Sequence, residues 1–353
     1  MAYRVVQWGT GNVGRLALRA IIGHPDLELA GVIVHSKDKV GRDAGELCGL
    51  PAVGVAATDD VDEALRRQID CVSYTATGDL RPQEAVDDMC RVLESGVNVV
   101  STSVVSLVYP PSADAALRAQ LEKACAAGST SCFTSGIDPG FANDLMPLTL
   151  TGFCERVDSV RIMEILNYAT YDQPEVLFDT MGFGRPLDHT PLLLAPGVLT
   201  LAWGGVLHMM AAALDVEFDE IREVVDRRPA EHDIDLAVGP VAEGTMAGLR
   251  FEVQGIVNGR PAIIVEHVTR MDDGVAPDWP QPPGEGGYRI IIEGSPSFTC
   301  ELQMVGEDGD HNTGGLVATA MRCLNAVPAV CEAAPGLLSP LDLPLIAGRH
   351  LMR

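Results

Sequence analysis

The first part of the chain alternates short apolar runs with stretches in which apolar residues recur at helical spacing. Residues 4–8 predict a strand, and apolar positions between 13 and 21 follow the helical period until Gly23 and Pro25 end it. Further strands are predicted at 27–34, 71–75, 97–100 and 130–134, and further helices at 61–69, 82–93 and 112–128. Repeated strand-helix-strand units with right-handed crossovers form a doubly wound parallel sheet, so we expect an N-terminal α/β domain.

After about residue 155 the pattern becomes β-rich. Helical spacing at 198–225 is inserted between strands, and the Pro- and Gly-rich stretch 276–287 predicts a loop. Asn258-Gly259 predicts a two-residue hairpin turn, because both turn positions need a positive φ. The predicted strands are 159–167, 249–257, 261–270, 288–293 and 297–305. This half therefore predicts an α+β domain on a mixed or antiparallel sheet.

The length fits two domains, because 353 residues exceed the roughly 100–200 residues of one domain. We place the first domain at 1–145 and the second at 146–311. Helical spacing returns at 313–326, and we expect the segment 312–353 to pack back on the first domain.

Charge and cysteine content narrow the function classes. Lys and Arg number 25 against 49 Asp and Glu, a net charge of -24 that repels nucleic acids and anionic membranes. The nine cysteines never form C-x-x-C, so we predict free thiols in a reducing compartment. No long apolar run opens the chain, which argues against a signal peptide, so we predict a cytoplasmic protein. Residues 191–214 lack charged side chains, but Pro196-Gly197 interrupts them, so they predict a buried helix rather than a membrane span.

A glycine-rich loop connects the first predicted strand to the first predicted helix. It has the pattern G-x-G-x-x-G, formed by Gly9, Thr10, Gly11, Asn12, Val13 and Gly14. Such a loop lets a pyrophosphate approach the backbone N–H groups at a helix N-terminus, so the pattern predicts a dinucleotide site. The alternative is a glycine-rich turn in an α/β protein that binds no nucleotide.

The end of the second strand indicates which dinucleotide is bound. NAD sites normally place an acid there for the ribose hydroxyl, whereas this chain has His35, Ser36, Lys37 and Lys39, with Asp38 as the only acid. These residues can meet a 2′-phosphate, so NADP(H) is the preferred cofactor and NAD(H) the lesser one. The alternative is that the lysines only solvate a loop.

Three more loops at the carboxyl ends of predicted strands should face the cofactor, because ligands bind at that edge of a parallel sheet. Their small and hydroxyl-bearing residues allow close approach, although simple turn chemistry would select the same residue types. The candidate residues are Thr75, Ala76, Thr77, Ser101, Thr102, Ser103, Asp138, Pro139 and Gly140.

Several motifs together resemble one family. They are G-T-G-N-V-G at 9–14, K-V-G-R-D-A-G-E-L at 39–47, N-V-V-S-T at 98–102, G-I-D-P-G-F-A-N-D at 136–144, M-G-F-G-R-P at 181–186 and L-N-A-V-P-A-V at 324–330. The chain resembles the dihydrodipicolinate-reductase-like family that includes 2,4-diaminopentanoate dehydrogenase and native amine dehydrogenases. The resemblance implies an N-terminal Rossmann domain, a C-terminal α+β domain whose sheet helps form a homodimer, NAD(P)H as hydride donor, and a small-molecule substrate in a cleft between domains.

The chain departs from that family at two points. The His-His pair and following Lys of true dihydrodipicolinate reductases are missing, which argues against lysine biosynthesis. Amine-forming members carry a Glu soon after N-V-V-S-T, but residues 103–110 contain no acid. Ammonia-dependent turnover should then be slow or absent unless another acid substitutes.

Hydride transfer to C=O or C=N also needs a proton donor. Glu164 shares a predicted strand face with apolar residues, Tyr168 follows that strand, and His267 lies in phase with Ile263 and Val265, so these three are the candidate catalytic residues. Paired or core roles are the alternatives for Glu164 and His267, and packing is the alternative for Tyr168. Tyr171 and His208 are further candidates, and His189 is a weaker one. No H-x-x-x-H or similar cluster occurs, so we predict no metal.

The sequence therefore predicts an NAD(P)H-dependent oxidoreductase that acts on a small carbonyl, imine or amine. The competing hypothesis is a non-catalytic NADP-binding sensor or assembly protein, in which the missing Glu reflects lost chemistry.

Overall fold

The computed structural model describes residues 2–78 and 81–352. The chain divides into two compact units, Met1–Ile137 with Leu316–Arg353, and Asp138–Gly315. The sequence analysis placed these divisions at 145/146 and 311/312. The first division lies earlier because the Asp138 side chain already bonds to residues of the second unit.

Thirteen strands and nine α-helices, together with five short 3-10 or π helices, make up the regular structure of the described residues. The strands are β1 (Tyr3–Trp8), β2 (Leu27–Ile33), β3 (Ala57–Thr58), β4 (Cys71–Tyr74), β5 (Asn98–Ser101), β6 (Ser131–Thr134), β7 (Arg156–Asn167), β8 (Glu220–Pro229), β9 (Met246–Val257), β10 (Arg260–Arg270), β11 (Gly286–Ser295), β12 (Phe298–Gln303) and β13 (Gly336–Leu338). The helices are α1 (Asn12–Gly23), α2 (Ala44–Leu47), α3 (Val61–Leu65), α4 (Pro82–Glu94), α5 (Ala115–Gly128), α6 (Leu145–Thr151), α7 (Val198–Leu214), α8 (His311–Leu324) and α9 (Val327–Glu332).

The first unit is built on a parallel sheet, as the alternating pattern predicts. Its strand order is β13-β6-β5-β4-β1-β2-β3, and every adjacent pair is parallel. Helix α5 begins at Ala115 rather than at the predicted Ser112, because Asp114 caps it by accepting hydrogen bonds from the N–H groups of Ala116 and Leu117. The sequence analysis missed β3 and β13, which are too short to show a period.

The C-terminal helices share a core with this sheet. Ala320 and Leu324 of α8 and Val327 of α9 are buried in the same cluster as Ile21 and Phe133. The run His311–Glu332 is long and apolar enough to cross a membrane by length and composition, with a mean hydropathy of 1.3. Apolar residues of this run are buried in the core of the first unit, which accounts for its apolar composition.

The second unit contains a mixed sheet, as expected. Its strand order is β12-β11-β7-β10-β9-β8. β7 and β10 run parallel, and the other neighbours are antiparallel. The Asn258-Gly259 turn joins β9 to β10 with φ values of 52° and 74°, which confirms the predicted hairpin.

The predicted helix at 198–225 is wrong in its second half. Helix α7 ends at Leu214, where Asp215 takes the left-handed conformation with a φ of 54°. Residues 220–229 form β8 instead, because pairing with β9 supplies backbone hydrogen bonds to a sequence whose apolar spacing also fits a helix. Helix α7 packs on β9 and β10 with a largely buried face, as predicted for a core helix.

Candidate functional site

In the first unit, the glycine loop lies between β1 and α1. Gly9 has a φ of +93°, and a Cβ at Gly14 would come within 2.3 Å of the Gly9 carbonyl oxygen, so both positions require glycine. Gly11 is the N-cap of α1, and a Cβ built there would meet nothing within 4 Å. This open space at a helix N-terminus fits the pyrophosphate of a nicotinamide dinucleotide. Thr10, Asn12 and Val13 complete this loop and the first turn of α1.

The loops after β4 and β5 are tied to this turn and to each other. The Thr75 hydroxyl donates to the Trp8 carbonyl oxygen at 3.1 Å, and the Gln7 amide donates to the same hydroxyl at 2.8 Å. The Ser103 hydroxyl donates to the Ala76 carbonyl oxygen. The backbone N–H of Ser103 donates to Ser101 Oγ at 2.9 Å. These hydroxyls therefore brace the loops, and their contact with a cofactor stays a prediction. The Thr102 N–H donates to the Tyr74 carbonyl oxygen at 3.2 Å.

The basic residues beyond β2 take different positions. Lys39 Nζ donates to the Thr10 carbonyl oxygen at 3.1 Å and lies 3.2 Å from Thr10 Oγ1, so this cation lies against the glycine loop. Lys37 is instead paired with Asp59. Ser36 precedes the short helical turn Lys37–Lys39. The sequence did not distinguish the two lysines.

A cavity of about 280 Å³ opens near the ends of β2 and β4. His35, Thr77 and Asp88 are among its lining residues. His35 Nε2 accepts a hydrogen bond from the Trp8 indole at 3.1 Å, and Asp88 accepts one from the Tyr74 hydroxyl at 2.9 Å. Burial raises the pKa of the Asp88 carboxyl.

In the second unit, strand register aligns four side chains across the sheet. Glu164 on β7 is opposite His267 on β10 and also opposite Tyr288 on β11. His267 is in turn opposite Phe251 on β9. Since directly paired residues project from the same face, these side chains form one row.

The row contains a buried acid-base cluster. His267 Nδ1 lies 3.2 Å from Glu164 Oε1, and His267 Nε2 lies 3.3 Å from Asp138 Oδ1. Tyr288 donates to Glu164 Oε2 at 2.8 Å, and Tyr168 donates to Glu164 Oε1 at 3.2 Å. We call Asp138, His267 and Glu164 the acid-histidine cluster.

Aromatic rings enclose the imidazole of this cluster. The Phe251 ring stacks on the His267 ring at 4.7 Å with an interplanar angle of 10°, and the Trp203 ring packs at 4.5 Å. The Trp203 indole also donates to Asp138 Oδ1 at 2.7 Å. The two rings hold the imidazole between the carboxylates and exclude water from its faces.

Electrostatics set the charge of the cluster. Burial alone would lower the pKa of His267, but Asp138 and then Glu164 outweigh it and raise the pKa to about 10. Burial, together with Glu164, raises the pKa of Tyr168 and Tyr288 well above its ordinary value, so both phenols stay neutral donors. Counted by formal charge, two carboxylates and one imidazolium give the cluster one net negative charge.

The same three residues lie close enough to hold a metal ion, because one ligand atom from each falls within 4.8 Å of the others. However, the imidazole stands between the carboxylates and turns a different nitrogen to each. This arrangement satisfies the charges without an ion, so the absence of a metal stays a prediction.

The remaining candidates lie apart from the cluster or beside it. Tyr171 stacks on Tyr168 at 4.7 Å and accepts a hydrogen bond from Gln173. His208 on α7 packs near Phe218, and burial lowers its pKa. His189 lies in an exposed loop whose carbonyl accepts from Arg227. Pro139 follows Asp138, and the Gly140 N–H donates to Asn143 at 2.8 Å.

Sequence reasoning missed the partnership of three residues with the cluster. Asp138 was assigned to the cofactor loops, and Trp203 and Tyr288 were not considered for the site. The phase of Tyr288 in its strand, with Ile290 and Ile292, was a usable signal for an inward face. No sequence signal connects Asp138 with His267.

Comparison with known proteins shows the family. The family profile of the 2,4-diaminopentanoate dehydrogenase C-terminal domain matches residues 141–351, and that of the dihydrodipicolinate reductase N-terminus matches residues 3–103. An amine dehydrogenase of Streptomyces virginiae is 45% identical over 344 residues, 96% of each chain. The 2,4-diaminopentanoate dehydrogenase of Acetoanaerobium sticklandii is 24% identical, covering 97% of this chain and 93% of that one.

A solved structure shows the same fold. The amine dehydrogenase from Mycobacterium smegmatis superposes with a TM-score of 0.80 at 23% identity, covering 98% of this chain and 97% of that one. These matches confirm the predicted family resemblance and the two-part α/β and α+β architecture. The chain belongs to the 2,4-diaminopentanoate dehydrogenase family and is an NAD(P)-dependent oxidoreductase.

Proposed function

We propose that this enzyme interconverts a small amine and the corresponding carbonyl compound through an iminium ion. The observation that carries the proposal is the acid-histidine cluster, in which two carboxyl groups flank one imidazole and give a formal excess of one negative charge. The 45% identical relative is named an amine dehydrogenase, which agrees with this chemistry.

The reacting species is cationic, and this makes a buried negative charge useful. Removal of hydride from the carbon of an amine leaves a C=N bond with a positive charge on nitrogen. A preorganised anion in a site of low dielectric stabilises such a charge more than water does. The segment 103–110 has no acid to do this, and the acid-histidine cluster supplies one from a different part of the chain. We therefore revise the expectation that ammonia-dependent turnover is slow or absent.

The chain's own residues perform the proton and charge steps. When bound, NAD(P)⁺ supplies the acceptor for the hydride that leaves the amine carbon. A carboxylate of the cluster takes one proton from the substrate ammonium and passes it to solvent, which restores the negative charge. The freed nitrogen lone pair then forms the C=N bond as the C–H pair leaves. Water adds to the iminium carbon, and ammonium is released with the carbonyl product.

His267 and the two phenols have supporting parts in this scheme. The imidazolium keeps the two carboxylates from repelling each other, because it lies between them. Tyr168 and Tyr288 hold Glu164 by donating to both of its oxygens. The three candidate proton donors predicted from the sequence, Glu164, Tyr168 and His267, therefore all contact one another through Glu164.

A paired assay tests this function. Purified enzyme with NADP⁺ is given primary amines and the alcohols of the same carbon skeleton, and absorbance at the NADPH maximum is followed. We expect turnover of at least one amine and at most one-hundredth of that rate with its matched alcohol. Oxidation of the alcohols with no amine turnover would contradict the proposal.

We also propose NADP(H) as the preferred cofactor. Lys39 supports this, because its ammonium lies against the glycine loop near the end of β2, whereas Lys37 is already paired with Asp59. The imidazole of His35 also lies just beyond the end of β2. NAD(H) is the lesser cofactor under this proposal.

We further propose a cytoplasmic homodimer that binds neither nucleic acid nor membranes. The described cysteines are all free thiols, which suits a reducing compartment. A dimer would have about twice the 37.5 kDa of one chain, and light scattering of the purified protein measures this directly. A monomer mass at micromolar concentration would contradict the dimer.

A further inference from the structure

The four carboxylate oxygens of the acid-histidine cluster differ in their partners. Glu164 Oε1 has Tyr168 and His267 Nδ1, and Glu164 Oε2 has Tyr288. Asp138 Oδ1 has Trp203 and His267 Nε2. Among the residues that the structure describes, none donates a hydrogen bond to Asp138 Oδ2.

This oxygen belongs to a side chain with little exposure. The Asp138 side chain is 2% exposed and that of Glu164 is 7% exposed, so neither is bathed in water. A cationic N–H group that reaches Asp138 Oδ2 would supply the hydrogen bond that the folded chain does not give this oxygen. Because both side chains have little exposure, the two acids differ in their hydrogen-bond partners rather than in their contact with water.

We propose that Asp138 Oδ2 is the atom that binds the substrate ammonium and takes its proton, and that Glu164 is a positioning residue. This inference rests on the proposed amine chemistry and assigns its central contact. An N⁺–H donor is what an unpartnered carboxylate oxygen lacks, and charge-assisted hydrogen bonds are about twice as strong as neutral ones. Asp138 was predicted as a cofactor contact, and this proposal assigns it a substrate contact.

Trp203 and His267 prepare Asp138 for this part. Both face Oδ1, so they fix the carboxylate plane and leave Oδ2 on the other side. Glu164 is separated from the substrate by one imidazole ring and is held by two phenols. It therefore acts through His267, by balancing the charge that the ring carries.

The proton step balances with these groups. One N–H bond of the substrate ammonium breaks and an O–H bond forms at Asp138 Oδ2, which leaves a neutral amine. Asp138 passes this proton to solvent before hydride leaves the carbon, so its carboxylate faces the iminium ion when that ion forms. Water then adds to the iminium carbon and gives the carbonyl compound and ammonium, so the one proton that left through Asp138 is the net proton of the oxidation.

Two isosteric variants separate Asp138 from Glu164. Asp138→Asn and Glu164→Gln each remove one negative charge from the same cluster, so the net charge of the two variants is equal. We expect Asp138→Asn to lower kcat/KM for the amine at least ~100-fold, within the range for loss of a general base. We expect Glu164→Gln to lower it about 10-fold or less, because Asp138 and His267 remain in contact.

Binding of a non-reacting cation gives a readout besides turnover. tert-Butylammonium, which has N–H donors but no hydrogen on the carbon next to nitrogen, is titrated by calorimetry into wild type and both variants. Unfolding temperatures check that each variant is folded. We expect cation affinity to fall about tenfold or more in Asp138→Asn and about threefold or less in Glu164→Gln.

The outcomes are distinct. Loss of turnover in Glu164→Gln with activity retained in Asp138→Asn would overturn the inference and make Glu164 the contact. Equal losses in both would also overturn it, because charge alone would then account for the effect. A wild type without amine turnover would instead refute the proposed function, and the calorimetric comparison would still test the Asp138 contact. If Asp138→Asn fails to fold, Trp203→Phe provides the second variant, and it should weaken cation binding by loosening the carboxylate.

Discussion

The glycine loop and the acid-histidine cluster are built in opposite ways. The loop uses consecutive residues, and its properties come from backbone: a φ of +93° at Gly9, close packing at Gly14 and open space at Gly11. The cluster uses side chains that are distant in the sequence: strand register pairs Glu164 with His267, and a loop adds Asp138. A site made of local backbone is readable from a motif, whereas a site made by register becomes visible only in the folded chain.

The largest expected effect comes from the cluster. His267→Phe should leave two carboxylates without their shared cation in a buried place, and breaking such a pair costs about 3–5 kcal/mol. Chemical denaturation of wild type and variant measures this loss of unfolding free energy. Cofactor affinity is the control, because the glycine loop is built independently and should not change.

The difference in unfolding free energy between wild type and His267→Phe should also depend on pH. The pKa of His267 is raised from 6.5 to about 10, so its stabilising effect is complete below pH 6.5 and is lost as the pH rises toward 10. The gap in stability between wild type and His267→Phe should therefore narrow between pH 6.5 and 10, by at most ~1.4 kcal/mol per pH unit. A gap that stays constant over this range would mean that the imidazole is neutral in the folded protein.

The next effect concerns the loop. Gly11→Val should weaken NADPH binding at least ~100-fold, which is about 2.7 kcal/mol, because the side chain would fill the space for the pyrophosphate. The fold should persist, since Gly11 has a φ of -76° and a ψ of -160°, which a valine adopts readily. Fluorescence titration with NADPH and thermal unfolding check both statements.

Gly14→Val is the matched control for that variant. Its Cβ would meet the Gly9 carbonyl oxygen at 2.3 Å, so it should lower the unfolding temperature as well as cofactor affinity. A Gly11→Val protein that binds NADPH normally would count against the pyrophosphate assignment.

The smallest effect distinguishes the two lysines. Lys39→Ala should weaken NADPH binding about tenfold, equal to about 1.4 kcal/mol, and leave NADH binding nearly unchanged. Lys37→Ala should alter neither by more than about twofold, because Asp59 already pairs with Lys37 and the side chain is exposed. Equal losses for NADPH and NADH in Lys39→Ala would contradict a 2′-phosphate contact.

Local patterns predicted much of the fold and only part of the site. The parallel sheet, the mixed sheet and the Asn258-Gly259 hairpin all follow from short-range periodicity and turn chemistry. The helix predicted at 198–225 was too long, because the apolar spacing at 216–225 fits the helical period as well as the strand period. Pairing with β9 makes the second half of this segment a strand.

Within the site, periodicity placed Glu164 and His267 on inward faces but could not pair them. Their meeting depends on the parallel register of β7 and β10, which joins residues about one hundred positions apart. Asp138 was out of reach of this reasoning, because a loop has no period and its G-I-D-P-G-F motif suggested a cofactor contact.

The central claim is that the acid-histidine cluster replaces the acid missing from residues 103–110. The most direct measurement is the rate of NADPH oxidation with a ketone, with and without high ammonium, for wild type and for the double variant Asp138→Asn/Glu164→Gln. We predict that ammonium stimulates the wild type at least ~10-fold and the double variant not at all, while both bind NADPH equally. Ammonium stimulation that survives in the folded double variant would contradict the claim and place the cation-stabilising group elsewhere.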